Sequence, residues 1–222
     1  MIKKFFTTVF FTLTMMNFIN AQVSYGIRSG VNYATWKGDD IQIIEDLVDK
    51  TEGYIVTKGR TGLHIGGYVH IPISETFAFE PGLGYSKKGY SLKGDFQIPV
   101  LKYLGVNARA QVQSHYIDIP LVMKAKVYNG LHVYAGPQVS YLVRSTLNAK
   151  IGVLGITLFN RGFGITERFN KVDLGLTGGI GYEFDNGLNV QAGYDYGLSK
   201  LDKNDNYQAY NRVVKVSVGY TF

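Results

Sequence analysis

Alternation with a period of two, repeated eight times, constrains this chain more than any other feature. Over residues 212–222, RVVKVSVGYTF, one face of an extended chain carries Val214, Val216, Val218, Tyr220 and Phe222, and the other carries Lys215, Ser217, Gly219 and Thr221. That period is a strand. The stretch closes on an aromatic residue, whereas chain ends are ordinarily polar and solvated, so its apolar face is expected to meet something other than water. The pattern recurs in VSYGIRSGVNYA (23–34), TGLHIGGYVHIPI (61–73), TFAFEPGLGYS (76–86), YIDIPLVMKAKVY (116–128), LHVYAGPQVSYLVR (131–144), VDLGLTGGIGYEF (172–184) and LNVQAGYDYGLS (188–199).

The connections fall into two classes that alternate along the chain. PISET (72–76), YNG (128–130) and DNG (185–187) are tight, and Asn-Gly between alternating runs is a strong hairpin signal. The spans 35–60, 87–114, 145–171 and 200–211 are long and rich in Lys, Asp, Asn and Gly. In an up-and-down meander this collects the tight turns at one end and the long loops at the other, as in an outer-membrane barrel with short periplasmic turns and long extracellular loops. Within the first long connection, Ile41, Ile44, Leu47 and Val48 have helical spacing after Asp39 and Asp40, which predicts a short helix over 39–50.

The start of the chain, MIKKFFTTVFFTLTMMNFINAQ, has a basic opening, an uncharged run from Phe5 to Ile19, and a small residue before Gln22. This is the pattern of a secretory signal peptide, expected over 1–21 with cleavage between Ala21 and Gln22. The run is too short and too interrupted by Thr and Asn for a transmembrane helix. Residues 22–222 then form one barrel domain. An exported chain with no cysteine has neither a disulfide scaffold nor a thiolate metal site. The net charge of +6 falls to +4 once Lys3 and Lys4 leave, and no Lys/Arg block is present, so nucleic acid is not an expected partner. Gly (27) and Tyr (17) suit the tight packing and interfacial anchoring of a closed sheet.

The expected fold is therefore all-β: an eight-stranded antiparallel up-and-down transmembrane β-barrel, its apolar face toward lipid and its mixed face toward the lumen. Tyr25, Trp36, Phe77, Tyr128, Phe184 and Phe222 are expected at the membrane interfaces. The lumen face is expected to carry Arg28, Glu80, Asp118, Lys124, Lys126, Arg144, Glu183, Asp195 and Lys215, with His64 and His70. These charges should pair into a structural plug, because eight strands leave a bore only one side chain deep.

The motifs YIDIPLVMKAKV (116–127), GGIGYEF (178–184), NVQAGYDYGLSKL (189–201) and the closing VSVGYTF together resemble the PorT-type outer-membrane β-barrel family of Bacteroidota, and YGIRSGVNYATW resembles that family's first strand. The resemblance covers the whole mature chain and implies an outer-membrane location, with a weaker implication of a role in protein secretion. It carries no catalytic motif.

No enzyme is expected. His64 and His70 lie about 20 Å apart along a strand, too far to share a metal. Ser114–His115 has no orienting third group, and LDKNDN (201–206) lacks the Gly and Glu of a calcium loop. No cofactor is implied. The leading expectation is a structural or interaction barrel of the cell envelope, associated with a secretion assembly. A lumen or loop ligand binder, an adhesin or a narrow channel stands second, and a lipid-modifying enzyme third. The partners implied are outer-membrane lipid, envelope or secretion-complex proteins, and the barrel-assembly machinery, which would read Tyr220 and Phe222 as an address.

Overall fold

The computed structural model describes residues 23–49, 55–95, 107–153, 156–204 and 207–222. The signal segment and the Ala21–Gln22 junction lie outside them. Among the described residues the strands are β1 (Ser24–Lys37), β2 (Ile55–Pro72), β3 (Phe77–Asp95), β4 (Asn107–Tyr128), β5 (Leu131–Val153), β6 (Ile156–Gly164), β7 (Val172–Glu183), β8 (Leu188–Gly197) and β9 (Tyr210–Thr221), with one α-helix, α1 (Asp39–Asp49), between β1 and β2 and a short 3-10 turn at Thr166–Arg168.

Eight of these strands close an antiparallel ring in the order β1-β2-β3-β4-β5-β7-β8-β9. The first and last strands seal it, from Gly26↔Thr221 to Lys37↔Tyr210. The backbone N–H of Phe222 extends the seam by donating to the Tyr25 carbonyl at 2.7 Å. Closure leaves no free edge in the ring, the condition for a sheet to cross lipid. The ninth strand, β6, folds back on the outer half of β5 as a hairpin.

Three tight turns meet at one end. At the Asn129–Gly130 turn both residues have positive φ, 32° and 82°, which Gly adopts without cost and Asn tolerates. At the other end the strands run on past what lipid requires. β4 has 22 residues and β5 has 23, against about 10 needed to cross. Much of the expected loops 87–114 and 145–171 is therefore strand. Segments such as KKGYSLKGD lack apolar alternation because their outer face no longer meets lipid and their inner face meets the ionic layer and the seal through Lys88 and Tyr90, while their ladder hydrogen bonds continue.

Burial is the reverse of that in a water-soluble protein. Apolar side chains such as Ile27, Val31, Leu63, Ile65, Leu83, Ile180, Val216 and Val218 are about half exposed or more on the outside. Glu80, Lys88, Asp118, Asp195 and Asn189 are buried inside. A continuous apolar belt around a polar core has lipid as its partner.

Candidate functional site

Even-numbered residues of β1, β3, β4 and, from His64 on, β2 point into the lumen, β2 having a register shift between Gly59 and His64, and their chemistry arranges the lumen in two ionic layers. Nearer the turns, Glu80 lies 2.8 Å from His70 Nδ1, 3.2 Å from Lys124 Nζ and 3.6 Å from Arg28 Nη2. Lys124 reaches on to Glu183 at 2.5 Å. The Arg28 guanidinium stacks over the Tyr68 ring at 4.3 Å. Nearer the loops, Asp118 accepts from Lys88 Nζ at 2.9 Å and Ser86 Oγ at 2.7 Å, with Lys215 Nζ at 3.5 Å. Lys215 pairs with Asp195 at 2.5 Å, and Thr177 Oγ1 donates to the same carboxylate at 2.8 Å. Arg28, Lys88, Lys124 and Lys215 thus face Glu80, Asp118, Glu183 and Asp195; a fifth lumen carboxylate, Asp173, is buried in the same pocket as Lys88 and accepts from Asn211 Nδ2 at 2.8 Å. Unpaired, any one of them would be costly in a space this dry.

A cavity of about 100 Å³ lies between the layers, where Gly66, Gly82 and Gly84 present no side chain to the interior. His64 stands at its edge, between Asn32 Oδ1 at 2.5 Å and Ser217 Oγ at 2.8 Å. Toward the turns the lumen opens into a vestibule of about 480 Å³ rimmed by His70, Lys126, Glu183 and Asp185.

The loop end is sealed. Ile41 of α1, Tyr90 of β3, and Leu201 and Ala209 of the β8–β9 connection are buried together, with Trp36, Leu92 and Phe169 against them. Trp36 stacks on Tyr90 at 5.3 Å and an interplanar angle of 5°. Asn170 Nδ2 clips the connection down by donating to the carbonyls of Lys200 (2.8 Å) and Asp202 (3.0 Å). Asp40 accepts from the Gln208 backbone N–H at 2.5 Å, tying α1 to the same connection.

Three residues differ from expectation. Arg144 is on the outer wall, not in the lumen: His115 pairs with Arg144 while Tyr116 pairs with Leu142, so Val143 is an extra residue that reverses the alternation. Lys126 is exposed on the vestibule rim rather than inside a network, because the strand has reached the mouth. Trp36 shares the inward face of Asn32 and Ala34 and belongs to the seal, not to a membrane girdle. Tyr25, Phe77, Tyr128, Phe184 and Phe222 are exposed outward at the turn end. Lys88, buried at the centre of the upper layer, is not among the expected lumen residues because it falls just past the point where alternation stops; its parity with Ser86 is the signal for it. Among the described residues, no group of three His, Cys, Asp or Glu side chains is placed to hold a metal ion.

Residues 18–203 match the family model described as outer membrane protein beta-barrel domain. The chain belongs to that family. Its location is accordingly the outer membrane, and its apolar belt is the lipid-facing surface of such a domain. No curated protein matches the sequence. Solved structures with a similar course include Ail of Yersinia pestis in complex with the heparin analogue sucrose octasulfate (12% identity, 90% of this chain and 99% of that one, TM-score 0.43). Neisserial surface protein A (13%, 90% and 99%, TM-score 0.40) and OprG of Pseudomonas aeruginosa (11%, 90% and 95%, TM-score 0.42) are also similar.

Proposed function

We propose that the protein is a closed, non-enzymatic barrel with its tight turns in the periplasm and its loops outside, and that it acts through the structure projecting at the loop end rather than through its lumen. The observation that carries this reading is the sealed mouth: Trp36, Ile41, Tyr90, Phe169, Leu201 and Ala209 pack together above two ion-paired layers. A pore would keep that path wet and unobstructed. Here α1 and the β8–β9 connection are committed to closing it, while the long ends of β3, β4 and β5 and the β6 hairpin stand clear of the belt as an interaction surface.

In its finer form the proposal places the protein among the PorT-type barrels, docked on envelope proteins of a secretion assembly; the motifs at 116–127, 178–184 and 189–201 support this. Two measurements test it. Purified barrel in planar bilayers is expected to pass no steady current, and reproducible single-channel steps would overturn the closed-lumen reading. Cross-linking in intact membranes is expected to capture discrete envelope proteins through sites on β6, and recovery of the barrel alone would remove the assembly role.

A further inference from the structure

The bulge that turns Arg144 outward completes a row of basic residues on the outer wall. Lys87 of β3 is the cross-strand partner of His115 on β4, and His115 is the partner of Arg144 on β5. Arg60 joins from β2: its Nη2 donates to Gln113 Oε1 at 2.6 Å, and Gln113 Nε2 lies 3.1 Å from His115 Nε2. The other ring nitrogen of His115 contacts the Tyr85 hydroxyl. The groove between Tyr85, Gln113, His115 and Arg144 has a volume of about 410 Å³, and no residue lining it is acidic.

Like charges gathered across neighbouring strands oppose pairing. No carboxylate pairs with Lys87, Arg60 or Arg144 among the described residues, in contrast to the lumen, where every lysine named above is matched. The position of the row indicates what would match it. The next row toward the turns is Tyr85, Ile117 and Tyr141, which are also direct cross-strand partners. Tyr141 is exposed, as is Val143 beside Arg144. Aromatic residues ending an apolar belt mark the membrane–water interface, and one residue pair along a strand advances only about 7 Å. The basic row is therefore at headgroup level, facing outward.

We propose that Lys87 and Arg144, with the charge of Arg60 behind them, bind the phosphate of a phosphorylated glycolipid of the outer leaflet, with the lipid's acyl chains on the apolar belt below. Arg144 supplies a planar fork suited to phosphate oxygens and Lys87 a point charge. His115 is held between Tyr85 and Gln113 and spaces the two. This site assignment rests on the loops-outside orientation given above.

The test uses the full barrel folded in neutral detergent micelles, with native mass spectrometry reading bound lipid. Wild type is expected to bind lipid A bearing its phosphates at least about tenfold more tightly than dephosphorylated lipid A, and K87Q/R144Q to lose about tenfold for each contact removed. K150Q, exposed farther out on β5, serves as the control and is expected to bind as wild type. Heat-modifiable gel migration verifies folding; should the double variant fail it, R144Q alone is expected to show a tenfold loss. Equal affinity for dephosphorylated lipid A, undiminished binding by R144Q, or saturation by inorganic phosphate at the same concentration as lipid would each overturn the proposal. Orientation is read separately by labelling T146C on intact cells. Labelling from outside supports the outer-leaflet source. Labelling only after the envelope is opened would overturn that source and the orientation together, whatever the micelles show for phosphate.

Discussion

Replacing Asp118 with Asn should be among the most damaging conservative changes available in this barrel. The Asp118 carboxylate holds Lys88 at 2.9 Å and Ser86 Oγ at 2.7 Å, with Lys215 at 3.5 Å. The side chains of Lys88 and Asp118 are 2% and 7% exposed. The amide keeps the shape and one acceptor but removes the paired charge, so Lys88 retains neutral partners such as Ser140 Oγ at 3.1 Å, its attraction over the Tyr116 ring and the more distant carboxylates of Asp195 and Asp173. Leaving one member of a buried pair uncompensated costs about 3–5 kcal/mol, roughly a hundredfold to several thousandfold in the folding equilibrium. Lys215→Met should cost less, because Asp195 keeps Thr177 and Gln138 as donors. Substituting both partners, Lys88→Met with Asp118→Leu, should recover most of the loss, since two apolar groups carry no desolvation debt. The assay is urea unfolding of refolded barrel in lipid vesicles, followed by gel migration and by the fluorescence of Trp36, the chain's one tryptophan. If Asp118→Asn shifts stability by less than about 1 kcal/mol, or if the double variant is as unstable as the single, the layers are solvated decoration and not a plug.

The remaining predictions concern the seam, the seal and the terminus. Gly30→Val should abolish the folded, heat-modifiable species, because a Cβ there would come 2.0 Å from the Val216 carbonyl oxygen across the β1–β9 seam; normal folding would show that the seam is looser than drawn. Tyr90→Ala should unstack Trp36 and raise its quenching by acrylamide, yet bilayer current should stay at baseline because the ionic layers remain; a new conductance would make the aromatic seal the sole barrier. Phe222→Asp should reduce the assembled fraction in cells several-fold while barely moving the urea midpoint of refolded protein. Phe222 is 71% exposed, and its bond to Tyr25 is made by the backbone. Equal effects in both assays would make it a packing residue rather than an assembly address.

The contrast between the two sets of basic residues follows from where water is. Inside, Lys88, Lys124 and Lys215 are largely cut off from bulk solvent, so each is matched by a carboxylate: Lys88 and Lys215 by one on the neighbouring strand, Lys124 by Glu183 of β7, while the 3.5 Å approach of Lys215 to Asp118 ties β9 to β4 across the lumen. Outside, Lys87 and Arg144 lie where solvent and lipid headgroups can supply the counter-charge, with Arg60 half-buried behind Gln113, and no carboxylate of the described residues pairs with them. A closed barrel with its interior bases all paired and an unmatched basic rim has its binding capacity on the wall and above it. The sealed mouth points to the same side.

How far this could be read from residue order depends on alternation. Where lipid lies on one side and the lumen on the other, each strand must alternate, so the eight-strand ring, the tight turns at Asn129–Gly130 and Asn186–Gly187, and the inward set Arg28, Glu80, Asp118, Lys124, Asp195 and Lys215 were all visible as a period of two. Above the belt the outer face no longer needs apolar residues, so apolar alternation stops although the inner face stays buried; β3 and β4 therefore extend into the expected loops, and Lys88 lies among them. Trp36 was legible by parity with Asn32 and Ala34, but a tryptophan near a strand end reads first as an interfacial anchor. Arg144 was not legible at all. Its alternation with His132, Tyr134, Gln138 and Ser140 is unbroken in the sequence, and only the pairing of Tyr116 with Leu142 and His115 with Arg144 inserts Val143 and reverses the face. A bulge is a property of two strands together. One strand's sequence cannot announce it, and here it decides whether an arginine completes a buried plug or faces the lipid headgroups.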